Sequence, residues 1–323
     1  MAEEIYPNIF REGIPLPANP LKAINSYVIK GNDRFLMIDT GMNRPECMEA
    51  MEAYIKNIGL DLQRTDFFIT HLHADHMGLV SELARSSSKI YFNYPDHVIV
   101  QDPGHWDKMG VAALANGFPE EDIQSAISRH PGRRYQTKNP PDLTLLREGD
   151  HLEIGGYYLR CVETPGHTPG HLCLYEPYKK FFFSGDHILE SITPNISRWL
   201  ENGDPLQSYL QSLDKIYDYD ISQVFPGHRQ VFTHHRQRIT ELKKHHGTRN
   251  EEIISILKKG RRTAYDVAAR MTWDIDCDRW EDFPLPQRWF AGGEALAHLQ
   301  YLQGKGRVKK ELQSGKALFS LRD

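Results

Sequence analysis

Thr70-His71-Leu72-His73-Ala74-Asp75-His76-Met77-Gly78 places three histidines and one aspartate within six residues, and the rest of the sequence reads as a frame that completes this cluster. The apolar run Phe67-Phe68-Ile69 just before it suits a buried strand. If extended geometry runs on, His71 and His73 share a face, whereas Asp75 and His76 fall where a loop turns into a helix through Leu79, Val80 and Leu83. Two pairs of side chains therefore point two ways. Imidazole and carboxylate together suit a divalent transition metal such as zinc, and their density here exceeds that of a polar surface loop.

Upstream, Ile24–Ile29 and Phe35–Ile38 are strand-like runs joined by a turn containing Gly31-Asn32-Asp33, which predicts a hairpin ending in Asp39-Thr40-Gly41. Asn43 is placed to cap a helix with Pro45 in its first turn and a stripe of Met48, Met51, Ile55 and Ile58. Downstream, Lys89–Phe92 reads as another strand, so strands and helices alternate. Residues 94–140 interrupt this with helical sequence carrying Trp106, Met109, Val111, Leu114 and Phe118, broken at Pro131-Gly132 and at Asn139-Pro140-Pro141. This insertion either covers a pocket or packs onto the body.

Strands follow at Tyr157–Val162, His171–Tyr175, Phe181–Ser184 and Ile221–Phe225. Glu163-Thr164-Pro165-Gly166-His167-Thr168-Pro169-Gly170-His171, Ser184-Gly185-Asp186-His187 and Pro226-Gly227-His228-Arg229 stand at their ends. In each, a glycine precedes one candidate ligand, permitting a tight turn that aims the next side chain across the strand ends. Adding His167, Asp186 and His228 to the first cluster gives five histidines and two aspartates, enough for two metals. One would take His71, His73 and His167, the other Asp75, His76 and His228, with Asp186 bridging. A shared carboxylate holds two cations close, and a hydroxide between them would be a strong nucleophile at neutral pH.

These four motifs, in this order, resemble the metallo-β-lactamase-fold hydrolases over roughly residues 5–235. The resemblance implies an αββα sandwich, an α+β architecture of two packed sheets flanked by helices, with a dinuclear site at one edge. The bridging aspartate and complete second-site set resemble the glyoxalase II, lactonase and ribonuclease branches rather than true β-lactamases or single-iron members. Asp39, in Ile38-Asp39-Thr40-Gly41, resembles the family's buried aspartate that orients a ligand histidine. His171 reads as structural and His187 as facing away from its neighbour, while His234-His235 and His245-His246 are expected in solvent.

Beyond residue 240 the pattern becomes helical, with stripes at Ile253, Ile254 and Leu257 and at Trp289, Leu296, Leu299 and Leu302, a capping-box start at Thr263-Ala264-Tyr265-Asp266, and a hairpin of Val308–Leu312 and Ala317–Leu321 around Ser314-Gly315. Three helices and a hairpin make a winged-helix-like shape. The tail resembles the appended domain of β-lactamase-like endoribonucleases and of similar bacterial hydrolases. The expected division is therefore a catalytic domain, residues 1–238, and a winged-helix-like domain, residues 239–323. Charge divides similarly: 23 Lys+Arg against 31 Asp+Glu up to residue 240, and 16 against 12 beyond it. The tail's excess of four positive charges, including Lys258, Lys259, Arg261, Arg262, Lys309 and Lys310, does not establish nucleic-acid contact, since winged helices also pack or form homodimers.

The four cysteines, Cys47, Cys161, Cys173 and Cys277, lack C-x-x-C spacing and read as reduced thiols. The absence of a basic N-terminal region followed by an apolar run, and of any long apolar stretch, gives the expectation of a cytoplasmic protein with no membrane partner. The chemistry expected is hydrolysis with two divalent metals, zinc first and iron or manganese also accepted, Asp75 orienting the nucleophile. A thioester, ester or lactone is the first choice because the acidic front disfavours a polyanion. Single-stranded RNA hydrolysis is the alternative, and a non-catalytic ligand sensor the third reading.

Overall fold

Phe181-Phe182-Phe183 in one short strand sends its first and third rings to one face and the second to the other, and all three are buried. A strand buried on both faces needs an apolar layer on each side of its sheet. The computed structural model describes residues 2–137, 142–198, 203–275, 277 and 279–322.

One sheet runs in sequence order: β1 (Glu3–Tyr6), β2 (Ile9–Pro15), β3 (Ala23–Lys30), β4 (Phe35–Ile38), β5 (Thr65–Phe68), β6 (Ile90–Asn93) and β7 (Leu143–Leu146). β1 to β4 pair antiparallel, with the expected β3–β4 hairpin in register Lys30↔Phe35. β4 to β7 pair parallel, which requires crossover segments between them. The second sheet contains β8 (His151–Ile154), β9 (Tyr157–Glu163), β10 (Leu172–Glu176), β11 (Phe181–Gly185) and β12 (Gln223–Pro226), in the order β12-β11-β10-β9-β8.

Tyr27, Ile29, Ile38 and Phe68 from the first sheet meet Leu159, Leu174, Phe183 and Phe225 from the second. Outside the first sheet, Val28, Met37 and Phe67 pack on Met51 and Tyr54 of α1 (Pro45–Ile58). Outside the second, Val162, Phe182 and Val224 pack on Leu206, Tyr209 and Leu213 of α8 (Pro205–Tyr217) and on Ile239 and Leu242 of α9 (His235–Leu257). The layers are helix, sheet, sheet, helix. α1 starts at Pro45 as expected, but extended Arg44, not Asn43, occupies its cap, without a side-chain hydrogen bond.

α2 (Ala74–Met77) and α3 (Val80–Leu83) connect β5 to β6. Residues 94–134 form α4 (Tyr94–Gln101), α5 (His105–Ala115), α6 (Glu120–Arg129) and α7 (Pro131–Arg134), Pro131 opening the last. The expected break at Asn139-Pro140-Pro141 lies outside the described residues. This insertion builds a separate core with the C-terminal elements α10 (Ala264–Ala268), α11 (Leu285–Gly304), β13 (Val308–Gln313) and β14 (Lys316–Leu321). Phe118 sits edge-on to Trp289 at 5.3 Å between ring centres, Asp122 pairs with Arg288 at 3.2 Å, and Tyr265 N–H donates to Asn116 C=O at 3.1 Å. α9 joins the two cores, giving Ile239 and Leu242 to the sandwich and Ile253, Ile254 and Leu257 to the helical core.

α9 corrects the expectation for the paired histidines. Its buried side recurs at His235, Ile239, Leu242, His246, Arg249 and Ile253, steps of three and four that mark one helical stripe. One histidine of each pair falls on that stripe, so His235 and His246 are buried and His234 and His245 are exposed. Cys47, Cys161, Cys173 and Cys277 are free thiols, the first three buried.

Candidate metal centre

The stretch Thr70–Gly78 leaves β5 at the edge where β4, β11 and β12 also end. His71 and His73 stand on the connection to α2, Asp75 and His76 within it, His167 between β9 and β10, Asp186 after β11 and His228 after β12. All seven come together. Their ligand atoms fall into three groups, each within 4.8 Å: His71/His73/His167, His71/His76/Asp186 and Asp75/His76/His228.

In the first group, His73 Nδ1 lies 3.0 Å from both His71 Nε2 and His167 Nε2. Tetrahedral ligand nitrogens at about 2.0–2.1 Å from zinc stand roughly 3.3 Å apart, close to this spacing. Burial, with the neighbouring histidines, pushes His71 well below the ordinary imidazole range and His73 to about 3, and burial also lowers His167, so all three favour the neutral ring that metal ligation needs.

The second side is acidic. Asp186 Oδ1 lies 3.5 Å from His76 Nε2, Asp186 Oδ2 is 3.5 Å from His167 Nε2 and from His228 Nε2, and Asp75 Oδ2 is 3.4 Å from His228 Nε2. Burial alone would push both carboxyls up, but His228 and His76 outweigh it, holding Asp75 at about 2 and Asp186 well below the carboxylate range. Reciprocally, burial is overcome for His76 by Asp39 and Asp186, raising it well above its usual value, and for His228 by Asp186 and Asp75, raising it to about 10. His76 Nε2, His228 Nε2 and Asp186 Oδ1 are buried without a hydrogen-bond partner and converge on one space. Such a donor set fits divalent cations, which would replace the protons that otherwise balance the two carboxylates.

The other nitrogen of four ligand candidates is fixed. His76 Nδ1–H donates to Asp39 Oδ2 at 2.7 Å, His167 Nδ1–H to Asn195 C=O at 2.8 Å and His228 Nδ1–H to Ala23 C=O at 2.7 Å, while His71 Nδ1 lies 3.0 Å from Thr70 Oγ1. Each bond turns Nε2 inward. Asp39, buried at φ 58°, also accepts Thr70 N–H at 2.9 Å. Gly185 adopts φ 47°, the turn expected before Asp186. Gly227 matters for space instead: a Cβ there would stand 2.6 Å from Asp186 Oδ1 and 2.9 Å from His76 Cε1.

Sequence reading misses several supports. Asp96 of α4, fully buried, accepts Leu72 N–H at 2.9 Å, Thr168 O–H at 2.8 Å and Gly170 N–H at 2.8 Å, tying both histidine-bearing loops together. Its only local signal is the Asn93 cap three residues earlier. His171, expected to be structural, accepts Asp186 N–H at Nε2 at 3.0 Å, and His187 is buried beside Tyr209 at 5.5 Å between ring centres.

Comparison with known proteins places the chain in a family. The sequence profile of the metallo-beta-lactamase superfamily matches residues 20–228. The probable metallo-hydrolase YqjP of Bacillus subtilis is 26% identical over 76% of this chain and 79% of its own length. The atrochrysone carboxyl ACP thioesterase of Emericella nidulans is 23% identical over 82% of this chain and 71% of its own. The crystal structure of a metallo-beta-lactamase family protein from Thermus thermophilus covers 98% of this chain and is itself covered in full, with a TM-score of 0.84 and 27% identity. A beta-lactamase domain protein from Burkholderia ambifaria covers 99% of this chain, which spans 94% of it, at a TM-score of 0.86 and 25% identity. With the profile spanning more than half the sequence and the motif side chains gathered at one sandwich edge, the chain belongs to the metallo-beta-lactamase superfamily of hydrolytic enzymes.

Proposed function

We propose that the chain is a dinuclear metal-dependent hydrolase of a thioester, ester or lactone, with zinc as the first choice and iron or manganese accepted by the same donors. The observation that carries it is Asp186, whose carboxylate lies 3.5 Å from His167 of the three-histidine group and 3.5 Å from both His76 and His228 of the other, a position between the two groups that suits a bridging ligand. His71, His73 and His167 would hold one cation, Asp75, His76 and His228 the second. Bound there, two cations would acidify a water nucleophile and polarise the scissile carbonyl. Asp75, kept ionised beside His228, would orient that nucleophile by accepting its hydrogen bond. Asp39 would hold the tautomer of His76, and Asp96 the spacing of the two loops.

The thioesterase name of the Emericella nidulans relative supports a small acyl substrate. The division into residues 1–238 and a winged-helix-like module, residues 239–323, belongs to the same reading. Its support is the order α9, a bridge at Arg262↔Phe319, α10, α11 and the β13–β14 hairpin. In helix-turn-helix docking the second helix of the pair enters the nucleic-acid groove. Here that helix is α11, buried at Trp289, Ala291, Ala295, Leu296, Leu299 and Leu302, which disfavours duplex docking through it. The test is hydrolysis by the metal-loaded protein of a thioester, a lactone and a single-stranded RNA. Thioester or lactone turnover is expected; RNA cleavage that disappears in Asp186→Ala would overturn the reading.

A further inference from the structure

We propose that Glu294, on the C-terminal helix α11, is a positioning residue for the three-histidine site, acting on His167 through Asn195. The proposal rests on the metal-centre reading above. His167 presents Nε2 to the centre because its Nδ1–H is held by the Asn195 carbonyl, 28 residues away in the chain. A carbonyl can set a ring's direction only if its own peptide is held. Residues 193–198 have no helical or strand bonding to do so.

Ile196 packs into the core with Leu206 and Tyr209, and further hydrogen bonds to this stretch and to the turn before it come from beyond residue 235. Arg238 of α9 donates to Leu189 C=O at 2.7 Å and Ile192 C=O at 2.9 Å. Closer to the carbonyl, α11 takes over: Asn195 Nδ2 donates to Glu294 Oε2 at 3.0 Å and Arg198 N–H to Gly293 C=O at 3.0 Å. Asn195 Oδ1 accepts the Ser197 hydroxyl, so the amide's remaining need is an acceptor for its N–H, and a carboxylate is acceptor-only. Glu294 is itself fixed, its other oxygen 3.7 Å from Arg249 Nε, and the Arg249 guanidinium lies over Trp273 at 4.3 Å. A line of contacts thus runs from the tail's own core through Arg249, Glu294 and Asn195 to one ring nitrogen of a candidate ligand. His228 is held differently: its Nδ1–H partner, Ala23, belongs to the first sheet.

Site selectivity follows. Removing the Glu294–Asn195 bond frees the carbonyl that aims His167, leaving Asp75, His76 and His228 as they were. The experiment is metal affinity by chelator competition, with the cobalt spectrum resolving the two sites, on the full-length wild type, Glu294→Ala, Asn195→Ala, the double variant and Glu294→Gln, with thermal unfolding in parallel. Glu294→Ala and Asn195→Ala are each expected to weaken the three-histidine site about 10- to 100-fold, the usual effect of losing a ligand's orienting partner. The double variant should be no weaker than either single, because both break one link, and Glu294→Gln, which keeps an acceptor oxygen, should restore most of the affinity. Asn195→Ala keeps the backbone carbonyl and carries the test alone if Glu294→Ala does not fold. Unchanged affinity, additive losses or equal weakening of both sites would each overturn the proposal. A wild type that binds no metal would instead refute the metal-centre reading, and this inference with it.

Discussion

In the proposed dinuclear centre Asp186 would serve both halves, since its oxygens face His76, His167 and His228 at 3.5 Å. Asp186→Ala is therefore expected to lower the occupancy of both metal positions, and elemental analysis of the purified variant decides it: normal loading would remove the bridging role. Asp96 makes a different kind of contribution. Its truncation leaves two buried N–H groups and a hydroxyl unpaired, at about 1–3 kcal/mol each before relaxation, so Asp96→Ala should destabilise the fold by roughly 3–5 kcal/mol in denaturant unfolding. A loss below about 1 kcal/mol would mean that water replaces it. At this scale the candidate ligands are legible because each carries a local mark, a glycine or a second ligand beside it. Asp96, Asn195 and Glu294 are not, since their meaning lies in partners 24 to 99 residues away.

Among the elements, the strands with apolar runs are readable, whereas β1, β2, β7 and β8 escape because their half-exposed sequences carry weak patterns. α8 has a clear signal, Asp204 capping before Pro205 and a stripe of Leu206, Tyr209, Leu213 and Ile216, yet it is easily passed over between two motif-bearing segments. The insertion's partner cannot be read at all, because an apolar stripe records that it must be covered but not by what. Trp289 fills that joint, and Trp289→Ala should cost ~3–5 kcal/mol in unfolding free energy. His130 lies in the same region, 4.9 Å from the Trp106 ring and 5.1 Å from Phe290 between ring centres, and burial, then His105, lowers it to about 4. The unfolded chain takes up this proton near 6.5 and the folded one only near 4, so its stability contribution is complete above 6.5 and is lost as pH falls through that window. The loss is roughly 1–3 kcal/mol, tempered by the ring's remaining solvent contact. Unfolding of wild type and His130→Phe at pH 7 and pH 5 should show the wild type losing more on acidification; equal losses would exclude it.

For the molecule as a whole, the carboxylates around His76 and His228 raise both well above the ordinary imidazole range, which favours protons on them in the metal-free state. Loading zinc at pH 7 should then release about two protons per chain, measurable by calorimetry in buffers of different ionisation enthalpy, and affinity should fall as acid restores those protons. Release of none would mean that the carboxylates are balanced otherwise. The overall sandwich is legible because four short motifs fix where four strands must end. The joined second core is not, because its halves are separated by the second sheet. That separation has a consequence for synthesis. Phe118 and Ile123 emerge from the ribosome about 170 residues before Trp289 and Leu296, the side chains that cover them. At roughly 5–20 residues per second the insertion waits on the order of ten seconds or more with its apolar face bare. A nascent chain stalled before residue 285 should be held by chaperones through residues 105–129, and release of the remaining C-terminal segment should end that engagement.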